Sequence, residues 1–360
     1  MDSTQMRFVV EGRERVAGLD VHCAFTELAA IGASGRLIRR ERTATTVPAI
    51  LSALEHVGRP RVVVLEEGPL ADWLMRGLTE KGEKVLVCDP RRNALVAKDS
   101  DKDDAIDAWK LAHLARGGFL RLVHHPQSFE RMVFKRRVGL YHDRVRNRVR
   151  QANRVMAQAR FYGVFVHEQA FAKETQEAAL LRLLPASAEA RRDFRILLKG
   201  YRAAQLQERQ LERGLIRLAR QHEEIVRFQQ LPGYGWIRSA TFFAFVDTPW
   251  RFRGKAALWK YLGIGLTRRG SADALTLGVP LHVNRVLKSA VVGAAMTAIA
   301  AGSNEFTPLY ERWCANGLSP RLARRNVARM QTAILWGLWK NGGVYRPEWV
   351  GRSLQTAATP

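Results

Sequence analysis

Val16-Ala-Gly-Leu-Asp20-Val-His22 is apolar until it meets an aspartate, and the reading of this stretch decides the fold. A short apolar run of this kind predicts a strand, here one that ends in polar residues. Thr26 to Ile31 and Leu37 to Thr43 read as two more strands, with Gly32-Ala-Ser-Gly35 as the turn between them. The three form an antiparallel meander. Pro48 to Val57 follows as a helix with Ile50, Leu51 and Leu54 on one side. Arg61-Val-Val-Val-Leu65 is an unbroken apolar run, as expected of a buried strand, and Glu66-Glu67-Gly68-Pro69 closes it. A helix (Ala71 to Glu80), a strand (Lys84 to Cys88) and a helix opening at Lys102-Asp103-Asp104-Ala105-Ile106-Asp107-Ala108 complete the series. A meander feeding parallel β-α units, in the order βββαβαβα, describes an RNase H-like fold. Its first strand is central and its fourth lies beside it.

In that topology Asp20, ending strand one, and Glu66, ending strand four, come together. Asp104 and Asp107 are three apart and leave one face at the start of a helix, where the dipole favours negative charge. The helix packs near the same sheet edge. Four converging carboxylates repel one another unless cations lie between them. Hard oxygen donors suit Mg²⁺, and two such ions are the usual apparatus for phosphodiester cleavage. The individual residues have plainer readings too: a strand-end cap for Asp20, a surface carboxylate for Glu66, an acidic solvent-facing turn for Asp104 and Asp107. Glu67, Asp99, Asp101 and Asp103 compete for the same roles by one or a few positions. His22 shares a strand face with Asp20 and reads as an ordinary strand histidine. Actin-like sugar kinases open on the same meander, but they need a Gly-rich, Thr-bearing turn that Val21-His22-Cys23-Ala24 does not provide.

The 360 residues carry 58 Lys and Arg against 34 Asp and Glu, a net charge of +24, which points to nucleic acid as partner. No apolar run approaches the length of a membrane span, and the first residues carry no signal-peptide pattern. The isolated cysteines Cys23, Cys88 and Cys314 show neither metal spacing nor a disulfide framework, so a reducing cytoplasm is expected.

Ser128 to Ala159 reads as a basic helix. Between 131 and 150 it holds eight cations, Arg136, Arg137, Arg144 and Arg148 among them, against one acid, Asp143. Val138, Tyr141, Val145, Val149 and Ala152 form an apolar stripe along it. A second long helix is expected from Asp193 to Arg227, and with Pro185 between them the two suggest an antiparallel coiled-coil arm. Such an arm serves nucleic-acid binding or dimerisation. Leu231-Pro-Gly-Tyr-Gly235 opens a further, mostly helical domain. Its Pro-Gly-Xaa-Gly turn resembles half of a helix-hairpin-helix, in which Gly233 and Gly235 let backbone N–H groups approach a phosphate. Gly263 to Ala272 reads as a loop in which Arg268 and Arg269 flank a small hydroxyl, Ser271. Serine becomes a nucleophile only when activated, and nearby cations stabilise the developing charge. Helices from Asn284 to Ala301 and from Arg321 to Trp339 follow, the last with a basic rim of Arg321, Arg324, Arg325 and Arg329.

Taken in order, these pieces resemble the insertion-sequence-110-type transposases of bacteria, which join a DEDD RuvC-like domain to a C-terminal serine domain. The resemblance runs from about residue 15 to 300. It rests on Gly18-Leu-Asp-Val-His22, the strand ending in Glu66, Pro90, Lys102-Asp-Asp104 with Asp107-Ala108 and Leu111-Ala112, and Leu231 to Gly235. Phe252, Tyr261-Leu-Gly263, Arg269-Gly-Ser271, Asn284 and Leu287-Lys288 extend it. It implies that Asp20, Glu66, Asp104 and Asp107 are a metal-binding tetrad and that Ser271 forms a covalent phosphoserine link to DNA. It also implies a composite site shared between the subunits of a homodimer or homotetramer, guidance by a structured bridge RNA, and a bacterial cytoplasmic, nucleoid-associated protein. The expected division is 1–125 RuvC-like, 126–228 arm, 229–345 serine domain and 346–360 tail. Ala272, Val283 and Pro69 depart from the family pattern, and Ser239 and Ser289 stand as alternative hydroxyls. A RuvC-like nuclease using metal-activated water, and a non-catalytic nucleic-acid-binding protein, remain open as alternatives.

Overall fold

The computed structural model describes residues 14–90, 104–126, 128–185, 187–269, 276–278 and 283–350. The chain divides into two compact units, Met1–His125 and Pro126–Pro360.

The first unit is a five-stranded sheet in the order β3-β2-β1-β4-β5, built from β1 (Arg15–Val21), β2 (Phe25–Ile31), β3 (Leu37–Ala44), β4 (Arg61–Glu66) and β5 (Lys84–Cys88). The meander pairs antiparallel, whereas β4 runs parallel to both β1 and β5. This is the RNase H-like order that the element series predicts. α1 (Val47–Glu55), started by the Thr46 side chain with Pro48 in its first turn, packs with α2 (Ala71–Glu80) on one face, over Ala17, Leu19, Val63 and Leu65. α3 (Asp104–Arg116) covers the other face, over Val16, Val62 and Val64. The central strands are apolar on both faces because both are covered.

In the second unit two long helices, α4 (Phe129–Phe161) and α6 (Ala188–Ala219), are capped by the Ser128 and Ser187 hydroxyls. They run antiparallel. Arg144 Nη1 reaches Gln207 and Arg148 reaches Glu208, while Arg137 lies against Gly214 and Gln151 against Gly200. At one end α5 (Glu177–Leu183) and the segment before it close over Val155, Phe171, Phe194 and Tyr201. The Arg148 guanidinium is clamped between Glu168 and Glu208 there.

The second long helix differs from its expected span. It begins five residues before Asp193 and stops at Ala219, and a separate α7 (Glu223–Phe228) follows. The break after Arg220 turns the chain, so that Ile225 and Phe228 enter the core. That core is shared: Phe134, Val138, Tyr141 and Leu215 of the arm join α8 (Trp236–Val246), α9 (Lys255–Tyr261), α10 (Arg285–Ala301), α11 (Phe306–Ala315) and α12 (Pro320–Asn341). α11 is an addition to the expected elements. Gly263 to Ala272, read as a loop, contains β6 (Thr267–Arg269), paired antiparallel with β7 (Thr276–Gly278). Among the described residues no single helix is long and apolar enough to cross a membrane.

Two outcomes are expected. Arg148→Ala, which takes the cation from Glu208 and leaves Glu168 with the Tyr201 hydroxyl, should lower stability by about 1–3 kcal/mol in denaturant titration. His142 Nε2 lies 2.8 Å from Thr241 Oγ1, whose own proton goes to the Ile237 carbonyl, so the imidazole donates. Burial, helped by the Arg146 charge, pushes His142 down to about 4. The unfolded chain takes up this proton first, near pH ~6.5, so stability is complete above that and falls as pH drops toward 4. A pH series of melting temperatures should show this loss in the parent protein and a smaller one in His142→Asn.

Candidate active site

Leu19 of β1 is in register with Leu65 of β4, so Asp20 and Glu66 are the next pair, at the C-terminal ends of neighbouring strands. Strand alternation puts Asp20 on the face of Val16 and Gly18, and Glu66 on the face of Val62 and Val64. Both therefore project on the α3 side of the sheet, on strands about 4.8 Å apart. Glu66 is exposed and the Asp20 side chain is 28% exposed.

Gly18 brings α3 to them. A Cβ there would collide with the carbonyl oxygen of Ala108 and lie 2.9 Å from the Ala112 nitrogen, so the helix backbone rests directly on β1. At the far end of α3, Arg116 donates to the carbonyls of Glu14 and Ala33. The helix thus runs antiparallel to β1, and its N-terminus lies at the Asp20 end. From this contact, four residues back along the helix to Asp104 cover about 6 Å. Two residues along the strand to Asp20 cover about the same. Asp104 is the first residue of α3 and Asp107, which is exposed, stands one turn on. The Asp104 side chain, with Asp99, Asp101 and Asp103, lies outside the described residues.

His22, expected as an ordinary strand residue, places Nε2 3.1 Å from Asp20 Oδ2 and stacks on Phe25 at 4.6 Å. Its carbonyl accepts from Thr45 Oγ1. The i, i+2 spacing from Asp20 was the available signal. Glu67 sits one position past β4, with its N–H donated to the Cys88 carbonyl. Among the described residues Asp20 and Glu66 place hard oxygen donors, the type that suits a divalent cation such as magnesium, at neighbouring strand ends, and these residues assemble no group of three metal-ligating side chains.

The other candidates lie in the second unit. Gly233 has φ +86°, and a Cβ on it would collide with the Ala294 carbonyl, so close packing on α10 demands this glycine. Gly235 is the N-cap of α8, with open space beside it. Ser271 lies outside the described residues, between β6 and β7 in sequence. Arg268 and Arg269 are in β6 by backbone, and their side chains lie outside the described set. Ser239 is completely buried in α8, which removes it from contact with substrate, whereas Ser289 is exposed on α10. On the arm, Arg136 is exposed, Arg137 packs over Gly214, Arg144 bonds Asp143 and Gln207, and Arg148 is held as described above.

A sheet of this order, with β4 parallel to the central β1, defines an RNase H-like domain. A family model for the DEDD domain of IS110-type transposases matches residues 17–163, and one described as the transposase IS116/IS110/IS902 family matches residues 226–311. The chain belongs to this family of transposases. It is 24% identical over 294 residues to a Sinorhizobium fredii protein named "Putative transposase y4pF/y4sB", covering 80% of this chain and 75% of that one. A solved structure titled T. thermophilus RuvC in complex with Holliday junction substrate aligns over 31% of this chain and all of its own, at 18% identity and a TM-score of 0.24.

Two measurements test the geometry. Gly18→Val should lower the stability of the full chain by at least about 1–3 kcal/mol, read by thermal or denaturant unfolding, because α3 must lift off the sheet. If the carboxylates hold a metal, titrating Mg²⁺ should raise the melting temperature, with an increment that grows with the logarithm of free Mg²⁺ above its dissociation constant. Glu66→Gln should remove most of that rise.

Proposed function

We propose that the chain is a DNA recombinase of an insertion sequence. In this reading Asp20, Glu66, Asp104 and Asp107 hold magnesium, with room for two ions, and Ser271 is the nucleophile. The observation that carries it is the position of Asp20 and Glu66, one step past the Leu19–Leu65 pair, on the face to which Gly18 admits the start of α3. When bound, the metal supplies neutralisation and orientation of a scissile phosphodiester. His22 holds one Asp20 oxygen and so orients the carboxylate. The Ser271 hydroxyl attacks phosphorus. A Ser Oγ–P bond forms, the P–O bond to one DNA fragment breaks, and the departing oxygen gains the proton that serine gives up. Attack by the hydroxyl of another strand reverses these bonds and joins it. Ester is exchanged for ester, so no high-energy cofactor is consumed.

The remaining assignments follow the same reading. Residues 1–125 hold the carboxylates, 126–228 form an arm and 229–345 carry the serine. Arg136, Arg137 and Arg144 of the arm, Gly233 and Gly235 at the start of α8, and Arg268 and Arg269 face nucleic acid. Arg148 contributes by fixing the arm. The excess of cations suits a structured guide RNA as well as element and target DNA, in a homodimer or homotetramer acting on DNA in the bacterial cytoplasm.

The test is to incubate the full chain with magnesium, RNA from its own element and labelled DNA spanning the element junction, and to look for an SDS-resistant protein–DNA adduct. The adduct is expected with the parent protein and lost in Ser271→Ala and in Asp104→Ala. Cleaved DNA without an adduct, unchanged in Ser271→Ala, would overturn the serine chemistry and leave a nuclease using metal-activated water.

A further inference from the structure

Helix α12 carries Arg321, Arg325 and Arg329 at i, i+4 and i+8, on one side of the helix, with Arg324 beside them. Such a row normally finds acidic partners, either within the helix or across its packing interface. Here the helix from Pro320 to Asn341 contains no Asp or Glu. Glu311, the acid of the neighbouring α11, makes no ion pair with the row among the described residues. Arg321 is exposed, and Arg325 is half-buried with its Nε enclosed and without a hydrogen-bond partner. Arg324 Nε donates to the Pro320 carbonyl. The crowding is electrostatically unfavourable. Burial and then the Arg321 charge lower the proton affinity of Arg325, and burial and then Arg325 do the same for Arg329. Like charges at this spacing destabilise a helix unless an outside anion compensates them.

The row also has a direction. Arg329 Nε donates to the Ile264 carbonyl at 2.7 Å, and the Trp259 indole donates to the Arg329 carbonyl at 3.1 Å. Ile264 lies three residues before β6, the strand that leads to Ser271. One end of the row is therefore pinned to the base of the β6–β7 pair, and the other stands about 12 Å away along the helix.

We infer that Arg321 and Arg325 form a track for consecutive phosphates of one DNA strand, anchored at Arg329 beside the start of β6. Each i to i+4 step advances about 6 Å. A partner must therefore bring one negative charge per step along a line, as successive phosphodiesters of one strand do. Arg325 and Arg321 supply charge that no acid among the described residues answers, whereas Arg329 is a positioning residue that holds the end of the track against Ile264. The inference deepens the reading of this unit as DNA-handling. It rests on nucleic acid as partner, not on the chemistry of Ser271.

The test uses the full chain and measures binding of a labelled single-stranded DNA oligonucleotide, and of its duplex, by fluorescence anisotropy over a salt series. Arg321→Gln/Arg325→Gln should make the slope of log K against log salt shallower by roughly 1.4 on the single strand, or roughly 1.8 on the duplex. A decrease on either supports the track and tells whether the strand is held alone or within a duplex. The double variant should melt at or above the parent temperature, since it relieves like-charge repulsion. Arg40→Gln/Lys81→Gln, which removes the same charge from exposed positions of the first unit, should leave the slope unchanged. An unchanged slope in Arg321→Gln/Arg325→Gln on both DNAs, or an equal decrease in the control pair, would overturn the track. Ser271→Ala should leave the slope as in the parent, so failure of the covalent chemistry and failure of the track are read separately.

Discussion

The contact between the bare Cα of Gly18 and the backbone of α3 governs the first unit. A side chain at position 18 would hold the helix off the sheet. With hydrogen in its place, Ala108 and Ala112 reach β1, and Leu111, Ala112 and Ala115 close over Val16, Val62 and Val64. The same contact sets how far the start of α3 extends along the sheet. Packing and chemistry therefore depend on one atom: the closeness that buries the apolar face also brings an acidic helix start level with Asp20.

The cations of the chain divide between two tasks. Some are consumed by the fold. Arg61 is buried against Glu83, Arg131 bonds Asp247 while lying over the Phe243 ring, and Arg148 bridges Glu168 and Glu208. Others, such as Arg321 and Arg325, stand one turn apart with no acidic partner among the described residues. A net charge alone does not separate these tasks, since a guanidinium clamped by two carboxylates counts the same as a free one. The basic arm illustrates this. Its cations are dense in sequence, yet Arg144 and Arg148 are engaged with polar groups of the arm itself.

The order of elements in the first unit was legible because it depends on local signals. Runs such as Arg61 to Leu65 can only be buried strands, and the Gly32 to Gly35 turn joins two strands antiparallel. The placement of Asp20 beside Glu66 then followed from topology. The second unit was less legible. The break after Arg220 carries neither proline nor glycine, and Ile225 and Phe228 leave the line of the preceding helix because the shared core claims them. α11 likewise has no side-chain cap from its N-cap residue Glu305, its first N–H going to Asn304 Oδ1 one position earlier. Glycine-rich Gly263 to Ala272 reads as a loop because the pairing of β6 with β7 depends on backbone hydrogen bonds that three-residue strands do not announce.

By itself the sequence determined the strand and helix order of the first unit, the acidic residues at the ends of its strands and helix, and the excess of positive charge, since each is written in residue type and spacing along the chain. Tertiary structure decided which face Asp20 and Glu66 share, why Gly18 and Gly233 must be glycine, that His22 holds Asp20, and which arginines lack an acidic partner among the described residues. These depend on neighbours far apart in sequence, and the distance between two backbones or two charges exists only once the chain has packed.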